Sequence, residues 1–507
     1  FLSAPGQAYV DGMRFVQFYL GLPIAMVILC VTAVPHFHRL KVYTAYEFLE
    51  QRFDVKNRTL GSLLFLTQRG LACGFTIFAP SLIISVLMGC DIRLTILVIG
   101  AFVTLYTTTG GTDAVNKTHL LQMGIISFGL VAAFVMIFRL LPPDISFLDA
   151  TSVAGKMGNL NVISFDFDLK DRYNVWSGLI GGTFLALSYF GTDQSQVQRY
   201  LSGSSIAESR FGLLANGVLK IPMQFCILFI GAMIFVFFQF ITPPLFFNPV
   251  ETAGVKNSAH AQAYEQLESE FEELHGEKQA HIREMLSAMD SDDEAKLERA
   301  LETLERSKSQ EQELRREAAS LISSSDPGAD TNDVNYIFLT FVINYLPVGL
   351  VGLILAAILS ASMSSTAAEL NALASVSVID IYRRVFRPGK SDRHYLRASK
   401  IISVFWGVYA ICFAMFANSL GSLIEAVNIL GSLFYGAILG IFIIAFSFKR
   451  IGGDATSIAA IIAEAVVLGC FFFSEIPYLW FNVIGCVVLI AVAHVLNPLF
   501  SRKQGRT

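Results

Sequence analysis

Long apolar runs separated by short polar loops dominate the pattern of hydrophobic and polar residues along the chain. An α-helix needs roughly 18 or more apolar residues to cross a lipid bilayer, and eleven runs reach that length. We therefore expect eleven spanning helices, at residues 14–36, 59–89, 92–109, 118–139, 174–192, 211–241, 348–380, 395–418, 423–447, 455–473 and 479–497. Residues 1–12 resemble the end of a further helix, so we expect a truncated N-terminus.

Composition agrees with a membrane protein. Apolar residues make up 54% of the 507 residues and charged residues 15%, whereas a soluble domain carries about 25% charged residues. The seven cysteines lie in or at the ends of predicted spans and lack the CxxC spacing. The sequence therefore predicts neither a disulfide framework nor a zinc site.

Lysine and arginine are concentrated on one side of the predicted membrane. One set of loops comprises residues 37–58, 109–117, 193–210, 381–400, 448–454 and the C-terminal tail. These loops hold 20 Lys and Arg residues, and the short loops of the opposite side hold 5. Positively charged short loops stay in the cytoplasm, so we expect the first set there.

Residues 251–335 interrupt the apolar pattern with 21 acidic and 9 basic residues. Pairs at i,i+4 such as Glu302–Arg306 predict two helices, broken near Asp290. The charge pattern of the loops places this insert outside the cytoplasm. It is either a solvated helical hairpin without chemistry, or a lid or docking site for a protein partner.

We expect four parts along the chain. Residues 1–250 contain a first group of helices and the start of a second, and residues 251–335 form the acidic helical insert. Residues 336–447 complete the second group, and residues 448–507 add two accessory helices and a basic cytoplasmic tail. With five helices in each group the second is inverted relative to the first, as in many secondary transporters.

The predicted helix from Val348 to Arg384 carries an unusual cluster of hydroxyl side chains near its centre. Ser364 and Ser365 belong to this cluster, and Ala361 shares a helix face with Ser365. Small residues let helices approach closely, whereas grouped hydroxyls and carbonyls coordinate hard cations such as sodium. The helix by itself favours both interpretations equally.

Other polar residues lie in or beside predicted spans, where each is a functional candidate. Lys220 either binds an anionic or hydroxylated solute or pairs with a carboxylate. Asp193 belongs to an unwound segment beside a cavity, or it begins a cytoplasmic loop. Asn428 contacts solute or forms an interhelical hydrogen bond. We expect Arg69 to extend its side chain to the cytoplasmic interface.

Motifs of soluble catalysis are absent from the sequence. It contains no Walker or Rossmann glycine motif and no HExxH, and its eight histidines form no ligand cluster. We therefore expect a transporter rather than an enzyme.

Four strings, found in order along the chain, together resemble the sodium:solute symporter family. They are Thr44-Ala-Tyr-Glu-Phe-Leu-Glu-Gln-Arg-Phe, Gly110-Gly111-Thr-Asp-Ala-Val, Gln196-Val-Gln-Arg-Tyr-Leu and the segment from Ala361 to Asn371. Phe78-Ala-Pro-Ser-Leu-Ile-Ile is more similar to the iodide, monocarboxylate and multivitamin branch than to the sugar branch. The resemblance covers nearly everything except the insert. It implies a LeuT-type five-plus-five inverted repeat, with extra C-terminal helices in this chain.

The resemblance also implies site residues. Ala361 would supply a backbone carbonyl, and Ser364 and Ser365 would supply hydroxyls, to the coupling sodium ion. The remaining sodium ligands of the family would lie before residue 1. Solute contacts would correspond to Gln17, Tyr19, Asp193, Lys220 and Asn428.

Two departures from the family pattern change what we expect. Thr118-His119 stands where the family has a Thr-Asp pair, which some members use for a second sodium ion. His119 therefore favours a single sodium ion, and as a titratable group it leaves proton sensitivity open. Tyr19 stands where sugar transporters have a glutamate, which disfavours a sugar as the substrate.

The sequence thus predicts a sodium-coupled symporter that imports a small polar organic solute, with anions included, by alternating access. We expect it in the bacterial inner membrane, with the insert on the extracytoplasmic side and with no nucleic-acid partner. Two alternatives stay open. One is a sensory receptor that keeps a transporter-like domain, and the other is a proton-coupled symporter or a passive channel.

Overall fold

A computed structural model describes residues 2–40, 42–110, 113–201, 203, 205–416 and 422–504, without the side chains of 110, 113–120, 201 and 501–504. Across these ranges the chain consists of helices, turns and loops, with no strand. Ten helical segments among the described residues are long and apolar enough to cross a membrane. The expectation of an all-α polytopic protein is confirmed.

Fourteen helices run from the N-terminus through the insert. They are α1 (Ser3–Asp11), α2 (Leu22–Val31), α3 (Ala33–Leu40), α4 (Ala45–Arg52), α5 (Val55–Met88), α6 (Ile92–Gly110), α7 (Asp113–Leu140), α8 (Phe147–Lys156), α9 (Gly182–Thr192), α10 (Gln194–Leu201), α11 (Ile206–Phe240), α12 (Pro249–Lys256), α13 (Ala261–Asp290) and α14 (Glu294–Ser325).

Six more helices follow in the described part of the chain. They are α15 (Ile337–Tyr345), α16 (Val348–Val376, continued by a π-helical segment to Phe386), α17 (Asp392–Ala414), α18 (Leu423–Ser447), α19 (Gly453–Phe473) and α20 (Tyr478–Gln504).

The predicted span 14–36 is a chain of short helical pieces rather than one helix. Gly12 has a φ of 71°, in the left-handed region that favours glycine, and it ends α1. A 3₁₀ turn at Gly12–Tyr19 then leads into α2 and α3. Counted together, the pieces from Ser3 to Leu40 form one apolar stretch of 38 residues.

The predicted span 174–192 is also shorter than expected. It is helical in a five-residue π turn, Ser177–Gly181, and in the eleven residues of α9. The helix ends because Asp193 is extended, with a ψ of 116°. At about 1.5 Å per residue, this helix does not reach the ~30 Å thickness of the hydrocarbon layer. In the part of the chain that the structure describes, ten segments rather than eleven therefore qualify as spans by length.

The insert forms the two predicted helices, α13 and α14, with the break at 291–293. The hairpin is docked on the membrane region rather than separate from it. Gln279 Nε2 donates to the Phe240 carbonyl (3.1 Å) at the end of α11, and Arg315 donates to the Pro244 carbonyl (3.1 Å). Ile282 is fully buried in the main apolar core. The hairpin is therefore anchored to the C-terminal end of α11.

Close packing sets the position of α1. A Cβ atom on Gly231 of α11 would lie 2.2 Å from the carbonyl oxygen of Pro5 in α1. Only glycine lets the two backbones approach this closely. On another side, the Ser3 and Ser422 hydroxyls lie 2.9 Å apart and join α1 to the start of α18.

Candidate functional site

A cavity of about 430 Å³ lies where α1, α5, α7, α16 and α18 meet. The lining side chains that carry polar groups include Ser3 of α1 and Thr76 of α5. Ala361 and Ser365 of α16 and Asn428 of α18 line the same cavity. The fold thus brings together three of the residues that the sequence analysis singled out, from helices distant in sequence.

The hydroxyl cluster of α16 is held in place by bonds to neighbouring helices. Tyr106 of α6 donates to the Met363 carbonyl (2.6 Å). Thr366 donates to the Thr76 carbonyl of α5 (3.1 Å). Within the helix, the buried Ser364 hydroxyl donates to the Ala361 carbonyl (2.9 Å). The three predicted sodium ligands therefore lie within about one turn of a fixed helix, and they offer the oxygen atoms that a hard cation prefers.

Asn428 lines the cavity, and its side-chain amide already donates one hydrogen bond. Its Nδ2 donates to the Ile424 carbonyl one turn earlier in α18, at 2.6 Å. This bond lies within one helix, so the interhelical hydrogen bond considered from the sequence is not the arrangement seen.

Tyr19 and Lys220 contact each other away from the residues that line this cavity. The Lys220 ammonium lies 5.4 Å from the centroid of the Tyr19 ring, within the range of a cation–π interaction. Lys220 forms no ion pair with any residue that the structure describes. The alternative role for Lys220, pairing with a carboxylate, therefore finds no partner among the described residues.

The side chain of Gln17 forms hydrogen bonds to the loop that precedes α9. Its Nε2 donates to the Tyr173 carbonyl (2.8 Å), and its Oε1 accepts from the Ser164 amide (3.0 Å). The side chain is fully buried. In this conformation Gln17 joins the 3₁₀ turn to the loop and does not reach the cavity.

Asp193 lies in a buried ion-pair network centred on Arg69 of α5. The guanidinium of Arg69 donates to Asp193, to Glu369 of α16 (3.1 Å) and to the Tyr435 hydroxyl of α18 (2.9 Å). Tyr435 also donates to Asp193 (2.9 Å). The extended backbone at Asp193 agrees with the predicted unwound segment, but its carboxylate belongs to this network.

The expectation that Arg69 extends to the cytoplasmic interface was wrong. Arg69 is 3% exposed and lies 14 residues into α5, a rise of about 21 Å. Its side chain is too short to span that depth, so it is neutralised by carboxylates inside the bundle. Glu369 was missed, although it follows Ser365 by one turn on the same helix face. His119, the other titratable candidate, lies outside the residues whose side chains are described.

Comparison with known proteins identifies the family of the chain. The model of the sodium:solute symporter family matches residues 1–273 and 320–462. The chain belongs to the sodium:solute symporter family. This confirms the resemblance seen in the sequence, and it confirms the expectation of a transporter rather than an enzyme. Sodium is the coupling ion that the family name implies.

Relatives differ in how much of them the chain covers. It is 32% identical to the human sodium/iodide cotransporter over 43% of this chain and 33% of that protein. It is 23% identical to the sodium/sialic acid symporter SiaT of Proteus mirabilis (strain HI4320), over 99% of this chain and 84% of that protein. Identity to the mouse sodium-coupled monocarboxylate transporter 1 is 25%, over 87% of this chain and 58% of that protein.

A solved structure shares the fold. The substrate-bound outward-open state of a Na⁺-coupled sialic acid symporter superposes with a TM-score of 0.71 at 22% identity. The match covers 98% of this chain and 86% of that chain. The LeuT-type architecture expected from the sequence is therefore confirmed.

Proposed function

We propose that this chain is a sodium-coupled symporter for a small polar organic solute, with small anions included. The observation that carries this proposal is the cavity shared by Ala361 and Ser365 of α16, Asn428 of α18 and the start of α1. It combines a hydroxyl and carbonyl cluster for a cation with room for a small solute beside it. The relatives named for monocarboxylates and sialic acid support a solute with a carboxylate.

The proposed mechanism is differential stabilisation of two states. Sodium held by the Ala361 carbonyl and the Ser364 and Ser365 hydroxyls ties α16 to α1, which favours the outward-facing state and completes the solute site. Solute bound near Asn428 then permits closure, because each ligand shifts the equilibrium toward the state it binds better. A membrane potential of about 100 mV adds roughly 2.3 kcal/mol per charge to inward movement.

Four further residues remain proposed solute contacts, in a conformation other than the one described here. They are Gln17, Tyr19, Asp193 and Lys220. Lys220 supports this best, since its ammonium has no carboxylate partner among the described residues and lies against the Tyr19 ring. Alternating access moves the helices around the cavity, so a residue remote from it in one state can line it in another.

We also propose a bacterial inner membrane as the location, with the insert 251–335 on the extracytoplasmic side and the four-part division of the chain given above. The loop bias of 20 against 5 Lys and Arg residues supports this orientation. A bacterial relative, whose match spans 99% of the chain, supports a bacterial membrane as the location.

Uptake into proteoliposomes tests the proposal, with sodium and proton gradients imposed separately. We expect a sodium gradient to drive uptake of a radiolabelled carboxylate. Ser365→Ala should raise the sodium concentration for half-maximal uptake about ten-fold, since a hydroxyl bonded to a charge contributes about 1.5 kcal/mol. Ser457→Ala, in an accessory helix, is the matched control. Uptake that ignores sodium and is unchanged by Ser365→Ala contradicts the proposal, and uptake driven by protons alone supports the proton-coupled alternative.

A further inference from the structure

A second cavity, of about 160 Å³, lies between the insert hairpin and the outer ends of α1 and α11. Tyr9 of α1 and Phe238 of α11 form part of its apolar wall. His275 of α13 and Lys308 and Arg315 of α14 contribute its polar groups. The insert and the membrane region are both needed to enclose it.

Both carboxylates at this cavity already have partners. Glu311 accepts from His275 Nδ1 (3.0 Å) and from the ammonium of the buried Lys278. Burial alone would raise the pKa of Glu311, but the hydrogen bonds from His275 and Lys278 lower it below its ordinary value. Asp333 accepts from a backbone amide (2.8 Å) and faces Arg315 at 3.7 Å. Each carboxylate therefore already faces a basic side chain.

Three other groups at the cavity have no partner among the described residues, and one of them is the buried Oε1 of Gln239. His275 is 1% exposed, and its Nε2 has no hydrogen-bond partner among the described residues. In the tautomer that carries its proton on Nδ1, the ring presents a lone pair on Nε2. Lys308 lines the cavity and forms no ion pair with any described residue. The cavity thus offers two buried acceptors that lack a donor, and one cation that lacks an ion pair, among the described residues.

We propose that this cavity is a binding site for a small 2-hydroxy monocarboxylate. The hydroxyl of the ligand donates to His275 Nε2, its carboxylate accepts from Lys308, and its carbon atoms face Tyr9 and Phe238. A ligand with one donor and one anion satisfies His275 Nε2 and Lys308 at the same time. The cavity volume equals that of roughly five water molecules at ~30 Å³ each, which is enough for a small 2-hydroxy monocarboxylate.

The position of the site suggests a loading step that rests on the proposed function. Tyr9 lines the outer cavity and Ser3 lines the central one, and they are six residues, or about 9 Å, apart along α1. A solute held beneath the insert is therefore close to the helix that forms one wall of the central cavity. Binding at the outer site itself requires no sodium.

Calorimetric titration of the full chain in lipid nanodiscs, in a sodium-free potassium Hepes buffer, tests the site. We expect L-lactate to bind and propionate, which lacks only the hydroxyl, to bind about five-fold more weakly, because it leaves Nε2 unpaired. This comparison needs no variant. Equal affinities, or no lactate binding, would overturn the proposal.

Two variants of α14 locate the ligand. Lys308→Gln should weaken lactate binding about five-fold or more. Arg306→Gln removes the same charge two residues away, on the exposed face of the helix, and should leave the affinity within about two-fold. Equal effects of the two variants would overturn the assignment to this cavity. Because the titration contains no sodium, lactate binding can fail while sodium-driven uptake succeeds. Equally, lactate can bind while sodium-driven uptake fails, so the two proposals are tested separately.

Discussion

Arg69 is a full positive charge buried in the middle of the membrane region. Its guanidinium contacts two carboxylates and a tyrosine hydroxyl from three other segments, Asp193, Glu369 and Tyr435. Such a network is weak as a source of net stability, but removing one partner leaves an uncompensated charge in a medium of low polarity. The contribution of Arg69 is therefore to hold α5, α16, α18 and the α9–α10 break in one arrangement.

Arg69→Gln should lower the free energy of unfolding by about 3–5 kcal/mol, because Asp193 and Glu369 lose their counter-charge. Thermal unfolding in detergent measures the change, with Arg306→Gln as a control for loss of an exposed charge. Adding Glu369→Gln to Arg69→Gln should recover part of the loss. A single Arg69 variant as stable as the control would contradict this role.

Asp330, where the insert rejoins the membrane region, makes stability depend on pH. Burial, with Glu251 and Asp333 nearby, raises the pKa of Asp330 to about 7. A carboxyl whose pKa is higher in the folded than in the unfolded chain binds more protons when folded, so its contribution to stability falls as pH rises from about 4 to about 7.

Asp330→Asn should remove this dependence. The variant should be more stable than the wild type at pH 8, by up to about 4 kcal/mol, and should lose that advantage toward pH 4. Unfolding midpoints at several pH values measure the difference, and Asp326→Asn, an exposed neighbour, is the control. If the stability advantage of Asp330→Asn grows as pH falls, the pKa of Asp330 is lowered by folding rather than raised, and the role given to Asp330 is refuted.

At the scale of elements, one short helix, α1, and the long helices α5, α7, α16 and α18 form the central cavity. The left-handed glycine that ends α1 and the extended residue between α9 and α10 interrupt helices that otherwise cross the membrane. Long helices such as α5 and α16 supply the fixed framework. Backbone breaks of this kind are tolerated at membrane depth where they are buried in protein or line a cavity.

Gly231→Ala tests how closely α1 must pack against α11. The new Cβ would lie 2.2 Å from the Pro5 carbonyl, so α1 must move, at a cost of about 1–3 kcal/mol. Because Ser3 of α1 lines the cavity, we also expect slower sodium-driven uptake. Gly276→Ala, where nothing lies within 4 Å of the new atom, should be neutral or stabilising by up to about 1 kcal/mol. Equal behaviour of the two variants would contradict the packing argument.

At the scale of the whole molecule, the insert covers one end of the bundle. Its hairpin is hydrogen-bonded to the C-terminal end of α11, and together with α1 and α11 it encloses a cavity. The opposite end carries the basic loops, including Arg384, which pairs with Glu50. The two ends thus differ in both shape and charge.

Labelling with a membrane-impermeant maleimide tests this orientation. In intact cells the Arg306→Cys variant should react, whereas Lys449→Cys should react only after permeabilisation. Labelling of the unmodified chain, with its seven cysteines, is the control. If only Lys449→Cys reacts in intact cells, the topology is the opposite of the one proposed. That result would contradict the loading role proposed for the insert.

The sequence by itself determined the class of the molecule. Apolar runs, loop charges, family strings and the hydroxyl cluster at Ala361 to Ser365 identify a polytopic sodium symporter, because all four are local properties of the chain. The break of the insert near Asp290 was likewise predictable from local charge.

Only the tertiary structure decided which polar residues share a site. It joined Ala361, Ser365 and Asn428 at one cavity and paired Arg69 with Asp193 and Glu369, 124 and 300 residues away along the chain. The physical reason is that a buried charge or amide is satisfied by whichever partner the packing brings within about 3 Å, and that distance is set by helix packing rather than by sequence spacing.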